Sequence, residues 1–307
     1  MKQSDGTDAT ERGTLDSPLA AELLDLAARR RILDAPPPPL PAMTRIIAVS
    51  NQKGGVGKTT TTVNMAAALA RFGARVLVID LDPQGNATTA LGLDRHEDGE
   101  GMFEVLLGER SLSQVVAQSP DLSGLFCAPS TLNLAGVEIS IATAEDSRYR
   151  LHNAISAHLS DGSGGYHYIF IDCPPSLGLL TVNALVVAHE VMMPIQCEYY
   201  ALEGVKQLSS LIQQVNQMLN PTLHVSTVLL TMFDARTNLS QDVAAVVREN
   251  FGSQVLNTVI PRTVRIAEAP SHRQTVITYD PTSLGAIAYL EAAYEFGLRN
   301  SQPAEAH

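Results

Sequence analysis

Cysteine is scarce in this chain, and its three copies, Cys127, Cys173 and Cys197, form neither a CxxC pair nor an even set. That excludes a secreted disulfide framework and fits reduced thiols in a cytosol. Positive charge is also in deficit: 21 Lys+Arg stand against 32 Asp+Glu, a formal net charge of -11. Any attraction to phosphates must therefore come from a local patch and not from the chain as a whole. No apolar run approaches the roughly 20 residues needed to span a bilayer, and the first residues lack the basic-then-apolar pattern of a signal peptide. These absences point to a cytoplasmic protein. With 307 residues, 45% of them hydrophobic, the chain is long enough for one large α/β domain with a substantial core.

Residues 1–44 stand apart as a flexible extension. A polar start leads to a helix-like stretch from Ser17 to Leu33 and then to Ala35-Pro36-Pro37-Pro38-Pro39-Leu40-Pro41. Consecutive prolines cannot form helix and favour a stiff polyproline linker. Leu19, Leu23, Leu24, Leu26, Ala27 and Ile32 give the stretch an apolar face, and Arg29-Arg30-Arg31 lies at the end where a helix dipole favours cations. It reads as a tail helix, its basic end a secondary candidate for contact with DNA or membrane.

From Thr44 onward, short β-branched runs alternate with helical patterns. Strands are expected at Ile46 to Ser50, Val76 to Asp80, Tyr168 to Asp172, Glu190 to Pro194, Val225 to Met232 and Val255 to Ile260. Helices are expected at Lys58 to Phe72, Leu179 to Ala188, Ala201 to Leu219, Leu239 to Asn250 and Ser283 to Arg299. Several strand runs are apolar throughout, as in parallel strands covered on both faces. The pattern predicts a doubly wound, mostly parallel α/β sheet flanked by helices over residues 45–300, with 301–307 a disordered tail. Ligands of such sheets bind at the carboxyl ends of the strands, where the following motifs fall.

Directly after the first strand comes Asn51-Gln52-Lys53-Gly54-Gly55-Val56-Gly57-Lys58-Thr59-Thr60, and then a helix rich in Ala and Leu. Glycines let the backbone turn its N–H groups toward phosphates, the helix N-terminus adds positive potential, Lys58 reaches the β/γ oxygens and the Thr59 hydroxyl can ligate Mg²⁺. The ordinary phosphate loop has glycine where this chain has Gln52, and it makes no use of a second lysine at Lys53. The second strand ends in Val78-Ile79-Asp80-Leu81-Asp82-Pro83-Gln84-Gly85-Asn86. Aspartate is a preferred helix cap, so for Asp80 capping stays open beside chemistry. Another apolar strand, Ile169-Phe170-Ile171, delivers Asp172 to the same edge in the Walker B arrangement, which holds Mg²⁺ directly or through water. Cys173 reads as a small buried residue, since the sequence positions no base to activate it.

The KGGxGK[ST] run from Lys53 to Thr59 resembles that of the deviant Walker A ATPases, the family that includes ParA/Soj partition proteins, MinD and the nitrogenase iron protein. The resemblance implies ATP and Mg²⁺ as cofactors, Lys53 reaching across a sandwich dimer to the partner's nucleotide, and Asp82 beside the attacking water with Asp80 nearer the metal's outer shell. A cation that arrives only on dimerisation stabilises developing charge and ties hydrolysis to assembly. The longer phrases Asp80 to Thr88, Glu198 to Gly204, Leu230 to Asn238 and Ile260 to Ser271 look like chromosomal ParA/Soj proteins in particular, and the likeness runs over residues 45 to 296. It further implies that Asn238 and the backbone around Pro261 lie near the adenine and that Arg236, Arg262 and Arg265 face DNA. An ATP-dependent homodimer that binds double-stranded DNA without sequence preference, a ParB-like centromere-binding partner that stimulates hydrolysis, and nucleoid association come with it. From Thr231 to Thr275 five arginines stand against four acids, a small local excess of positive charge in an acidic chain.

The nearest alternative is a MinD-like membrane-associated regulator of division-site placement, which calls for a terminal amphipathic helix with cations on one face. Ser283 to Arg299 instead carries Glu291 and Glu295 with one arginine. A cluster-carrying reductase would need suitably placed thiolates, and the cysteines match no ligand pattern. A structural module with ATP as a fixed ligand is disfavoured by the joint presence of Lys53 and Asp82. Residues 1–44 hold at most one helix before the prolines, too little for a helix-turn-helix repressor.

Overall fold

The computed structural model describes residues 26–94, 100–162, 165–199 and 203–299. The chain divides into two compact units, Met1–Pro36 and Pro37–His307. In the first, the described residues include the 3-10 turn Arg30–Asp34, none of whose residues is buried. Most of the expected Ser17 to Leu33 helix, and the 301–307 tail, lie outside the described residues. The division falls after the first of the consecutive prolines, so Pro37, Pro38 and Pro39 go with the larger unit. Pro38 is buried there against Gly297, where an added Cβ would come within 2.7 Å of the Pro38 ring.

The larger unit is built on an eight-stranded sheet: β1 (Arg45–Val49), β2 (Val76–Asp80), β3 (Ala117–Gln118), β4 (Leu125–Ala128), β5 (Tyr168–Asp172), β6 (Glu190–Gln196), β7 (His224–Phe233) and β8 (Val255–Pro261), in the order β3-β4-β2-β5-β1-β6-β7-β8. Every neighbouring pair is parallel except β3 with β4. This is the doubly wound, mostly parallel sheet expected from the sequence. β2, β5 and β6 are buried along their whole lengths, because helices cover both faces and neither set of alternating side chains reaches water.

Alternation sorts the two layers. Ile46, Ala48, Leu77, Ile79, Ile169 and Ile171 point into one core, filled from the helices Arg150–Ser160, Leu179–Val187 and Glu203–Met218. In the last of these, Val205, Leu208, Ile212 and Val215 recur at helical spacing and bury one stripe. On the opposite face, Tyr168 and Phe170 meet Phe296 with ring centroids 6.0 and 6.2 Å apart. Phe296 belongs to the last helix, Leu284–Leu298, which is capped by Ser283 accepting from Ala286 N. That helix is buried around most of its circumference, through Ala286, Ile287, Tyr289, Leu290 and Ala293 among others, so it offers no amphipathic surface to a membrane. At the amino-terminal edge of the sheet, Arg45 grips Glu190 through Nε–Oε1 (2.6 Å) and Nη2–Oε2 (2.7 Å), with its guanidinium 4.0 Å from the Phe296 ring centre.

The sequence reading missed β3, β4 and four helices between β2 and β5: Met102–Leu107, Leu112–Val115, Val137–Ile141 and Arg150–Ser160. β4 has only four residues, and an apolar run that short does not distinguish strand from helix until β2 pairs with it.

Candidate functional site

The loop between β1 and the helix Lys58–Arg71 turns on Gly55 (φ 74°) and Gly57 (φ 88°). Left-handed backbone there costs any residue with a Cβ roughly 1–2 kcal/mol. Two neighbouring strands, β6 and β7, anchor the loop. Asn51 donates through Nδ2 to Pro194 O of β6 (2.8 Å) and accepts from Lys53 N (3.0 Å), and Val56 O accepts from Thr231 Oγ1 of β7 (2.8 Å). Gly54 sits where an added Cβ would have nothing within 4 Å. The result is a fixed, open turn at the N-terminus of a 14-residue helix, the arrangement that receives phosphate.

Two carboxylates close the other side. Asp80 and Asp172 are directly paired in register at the ends of β2 and β5, and Val49 of β1 pairs with Asp172 on its other flank. Asp172 accepts from Thr59 Oγ1 at 2.7 Å and lies 3.0 Å from Thr62 Oγ1. Both aspartates are fully buried. Burial pushes both carboxyls above the usual carboxylate range, and the neighbouring Asp80 pushes Asp172 further. Lys58 is buried as well, which lowers its ammonium pKa against the opposing pull of Asp172. Two buried acids balanced by one lysine are an environment that a divalent cation relieves, so the residues fit Mg²⁺ at Thr59 and Asp172. No cluster of three His, Cys, Asp or Glu side chains able to hold a metal occurs among the described residues. An ion here therefore depends on hydroxyl, water and nucleotide oxygens, as Mg²⁺ commonly does.

Asp82 follows β2 and is 9% exposed, with Oδ1 accepting from Gln84 N at 3.0 Å. Lys53 reaches out of the loop to Glu198, Nζ to Oε2 3.3 Å. Glu198 also takes Gln196 Nε2 (2.5 Å) and Arg262 Nη2 (3.4 Å), both on Oε1. Beside the loop, a cavity of about 280 Å³ is lined by Gly57, Thr60, Met232, Pro261, Ile266 and Tyr289 among others. Pro261 thus lines the same cavity as Gly57 and Thr60 of the phosphate loop. Asn238 is not among the lining residues; it is exposed in the first turn of the helix Asn238–Phe251.

The five arginines divide. Arg236, Arg262 and Arg265 lie at the carboxyl edge of β7 and β8, where Arg262 N donates to Phe233 O. Each has an acidic neighbour: Asp234 for Arg236 (2.8 Å), Glu198 for Arg262, and Glu268 (3.1 Å) with Asp280 (3.3 Å) for Arg265. Arg248 instead holds Leu256 O and Asn257 O, and Arg273 holds Gly92 O and Asp94. The three cysteines are buried, and burial pushes every thiol upward, Cys197 to about 11. Sequence reasoning passed over Asn51, Thr62, Thr88 and the separate role of Glu198. Thr62 alone had a signal: four residues after Lys58, it shares that residue's helix face.

A family model described as an AAA domain matches residues 44–225. The chain is 47% identical over 253 residues to the sporulation initiation inhibitor protein Soj of Bacillus subtilis, covering 82% of this chain and 98% of that one. It is likewise 47% identical over 251 residues to the chromosome partitioning protein ParA of Caulobacter vibrioides, covering 82% and 93%. Among solved structures it is similar to a cobyrinic acid a,c-diamide synthase from Mycobacterium smegmatis with bound ADP and magnesium, at TM-score 0.70 and 40% identity, covering 82% and 93%. The partition proteins are the more similar in sequence, and they are matched almost end to end. At that identity and coverage, the chain belongs to the ParA/Soj family of chromosome-partitioning ATPases.

Proposed function

We propose that the protein is a nucleotide-switched DNA segregation ATPase, which forms a twofold dimer with Mg-ATP, binds double-stranded DNA without sequence preference and releases it when a ParB-like partner stimulates hydrolysis. The observation that carries this reading is the pair of lysines on one loop. Lys58 is buried at the phosphate edge, while Lys53 points outward to Glu198. A single nucleotide needs only the first.

In this reading the amides of Gly54 to Thr60 and the Lys58 ammonium bind phosphates, and Thr59 with Asp172 holds Mg²⁺, which when bound neutralises phosphate charge. Asp82, nearly enclosed, orients a water for in-line attack. Lys53 stabilises developing charge on the partner's nucleotide. Pro261 and, by resemblance, Asn238 are assigned to the adenine. Arg236, Arg262 and Arg265 are assigned to DNA phosphates, which places the ATP form on the nucleoid. No helix among the described residues is long and apolar enough to cross a membrane.

Co-sedimentation with DNA and with anionic liposomes, each with ATP, ADP or no nucleotide, tests the proposal. Recovery with DNA that requires ATP is the expected result. ATP-dependent recovery with liposomes alone overturns it in favour of a MinD-like regulator.

A further inference from the structure

Asp80 has two readings, metal shell or cap, and its contacts separate them. Oδ2 accepts from both Thr88 N (2.8 Å) and Thr88 Oγ1 (2.6 Å), and Oδ1 accepts from Asp82 N (3.2 Å). Thr88 is the third residue of the short helix Asn86–Ala90, whose first-turn amides lack an intrahelical partner. The N-cap position is Gly85 (φ 60°), which has no side chain to supply one. Asp80 does so from the end of β2, six residues before that helix begins. The Thr88 hydroxyl in turn accepts from Ser130 N (2.9 Å), just beyond β4. Asp80, Thr88 and Ser130 are all buried, so these bonds are made without competing water and each is expensive to lose.

Leu81 to Gly85 is thereby held at both ends. Leu81 N donates to Asp172 O (3.0 Å), Asp82 N to Asp80, and Gly85 N to Asp82 O (2.8 Å). The backbone of Asp82 has little freedom left, and its Oδ1 is taken by Gln84 N. Both oxygens of Asp80 serve the protein.

We propose that Asp80 and Thr88 are positioning residues for Asp82: they fix the loop that aims its carboxylate at the attacking water, and Asp80 does this in place of the metal-shell role implied by resemblance. The inference rests on the assignment of Asp82 to that water. Thr88→Val keeps the shape of the side chain and deletes the hydroxyl. Asp80→Asn turns one acceptor oxygen into a donor, facing the Thr88 amide or the Asp82 amide. In hydrolysis assays both variants are expected to lose about 10- to 100-fold in kcat, the scale of a misplaced reacting group. The KM for ATP and the half-saturating Mg²⁺ concentration are expected to stay within about two-fold of the parent. Thr88→Ser, which restores the hydroxyl, recovers most of the rate.

A metal-shell role gives the opposite signature: Asp80→Asn demands more Mg²⁺ and is rescued by it, while Thr88→Val turns over normally. Either result overturns the proposal. Hydrogen exchange on the unmodified protein tests it even where a variant does not fold: the Thr88 amide is expected to be protected, and rapid exchange at that amide overturns the relay. Asp82→Ala is the control. Hydrolysis at the parent rate by Asp82→Ala removes the water assignment and this proposal with it; loss in Asp82→Ala with full activity in Thr88→Val refutes the positioning role alone.

Discussion

Lys58 and Lys53 are five residues apart and held in opposite ways, which gives each a distinct mutational outcome. Lys58 is buried beside Asp172, so Lys58→Ala removes the closest fixed charge from the phosphates, and equilibrium titration is expected to show no ATP binding. Lys53→Ala is expected to bind ATP nearly as the parent does and to fail in dimerisation or turnover; equal loss of ATP affinity in both variants would contradict the division of labour. The partner of Lys53 in this structure is Glu198, and in the proposed dimer the lysine would have to leave it to reach a second subunit. Exposed ion pairs contribute about 0.2–1 kcal/mol, so Glu198→Gln is expected to shift ATP-dependent dimerisation to lower protein concentration, by up to about five-fold. Sedimentation velocity across a concentration series measures the shift, and weaker dimerisation in Glu198→Gln would show that the carboxylate is not a competitor. Asp82→Ala is expected to retain Mg-ATP and accumulate the dimer, visible by size-exclusion chromatography with ATP.

At the scale of elements, the Arg45–Glu190 pair joins the start of β1 to the start of β6 and lies under Phe296 of the last helix. Both side chains are largely shielded, at 16% and 10% exposure. Glu190→Ala leaves a shielded guanidinium without its carboxylate, and breaking such a pair costs about 3 kcal/mol, measurable as a lowered urea midpoint with unchanged slope. Two histidines give the fold a pH dependence of known sign. Burial depresses the pKa of His158 and of His189 below the usual imidazole value. His189 Nδ1 accepts from Ile46 N, and His158 lies against Ser113 and the Tyr166 ring. The folded state favours the neutral rings, so their contribution is present above about pH 6.5 and is lost as the pH falls below it, when the unfolded chain takes up protons first. Denaturation at pH 8 and pH 5.5 is expected to show the loss, and His158→Phe to show a smaller one. Elements with a long apolar signature, β2 and β5 above all, are readable residue for residue, since burial on both faces demands apolar side chains throughout. β3 has two residues and exists because β4 is there to pair with it.

For the molecule as a whole, the proposed DNA binding has to overcome a net charge of -11. Arg236 and Arg265 protrude from the carboxyl edge of β7–β8, but each has an acidic neighbour that competes with a DNA phosphate. The proposed dimer would double their number on one surface, and Arg265→Ala is expected to dimerise with ATP yet bind DNA poorly at moderate salt. If Arg265 contacts one phosphate in each subunit, the slope of log affinity against log salt becomes shallower by about 1.8 in that variant, from about 0.9 per contact, and equally for unrelated DNA sequences. Unchanged affinity and salt slope in both Arg265→Ala and Arg236→Ala would move the interface elsewhere, with Arg29 to Arg31 next in line.

The amino-acid sequence by itself determined the sheet's central strands, the phosphate loop, and the carboxylates Asp80 and Asp172 at strand ends, with Asp82 just beyond the first of them. Each of those is a local pattern: an apolar run, a glycine spacing, a charge that ends a buried strand. Only the tertiary structure decided what Asp80 touches, that Lys53 meets Glu198 145 residues away, that Asn238 is exposed at the start of its helix, and that Arg248 and Arg273 hold backbone carbonyls. Those depend on which strand ends the parallel order brings side by side, and no spacing along the chain encodes a contact that forms between one crossover and the next.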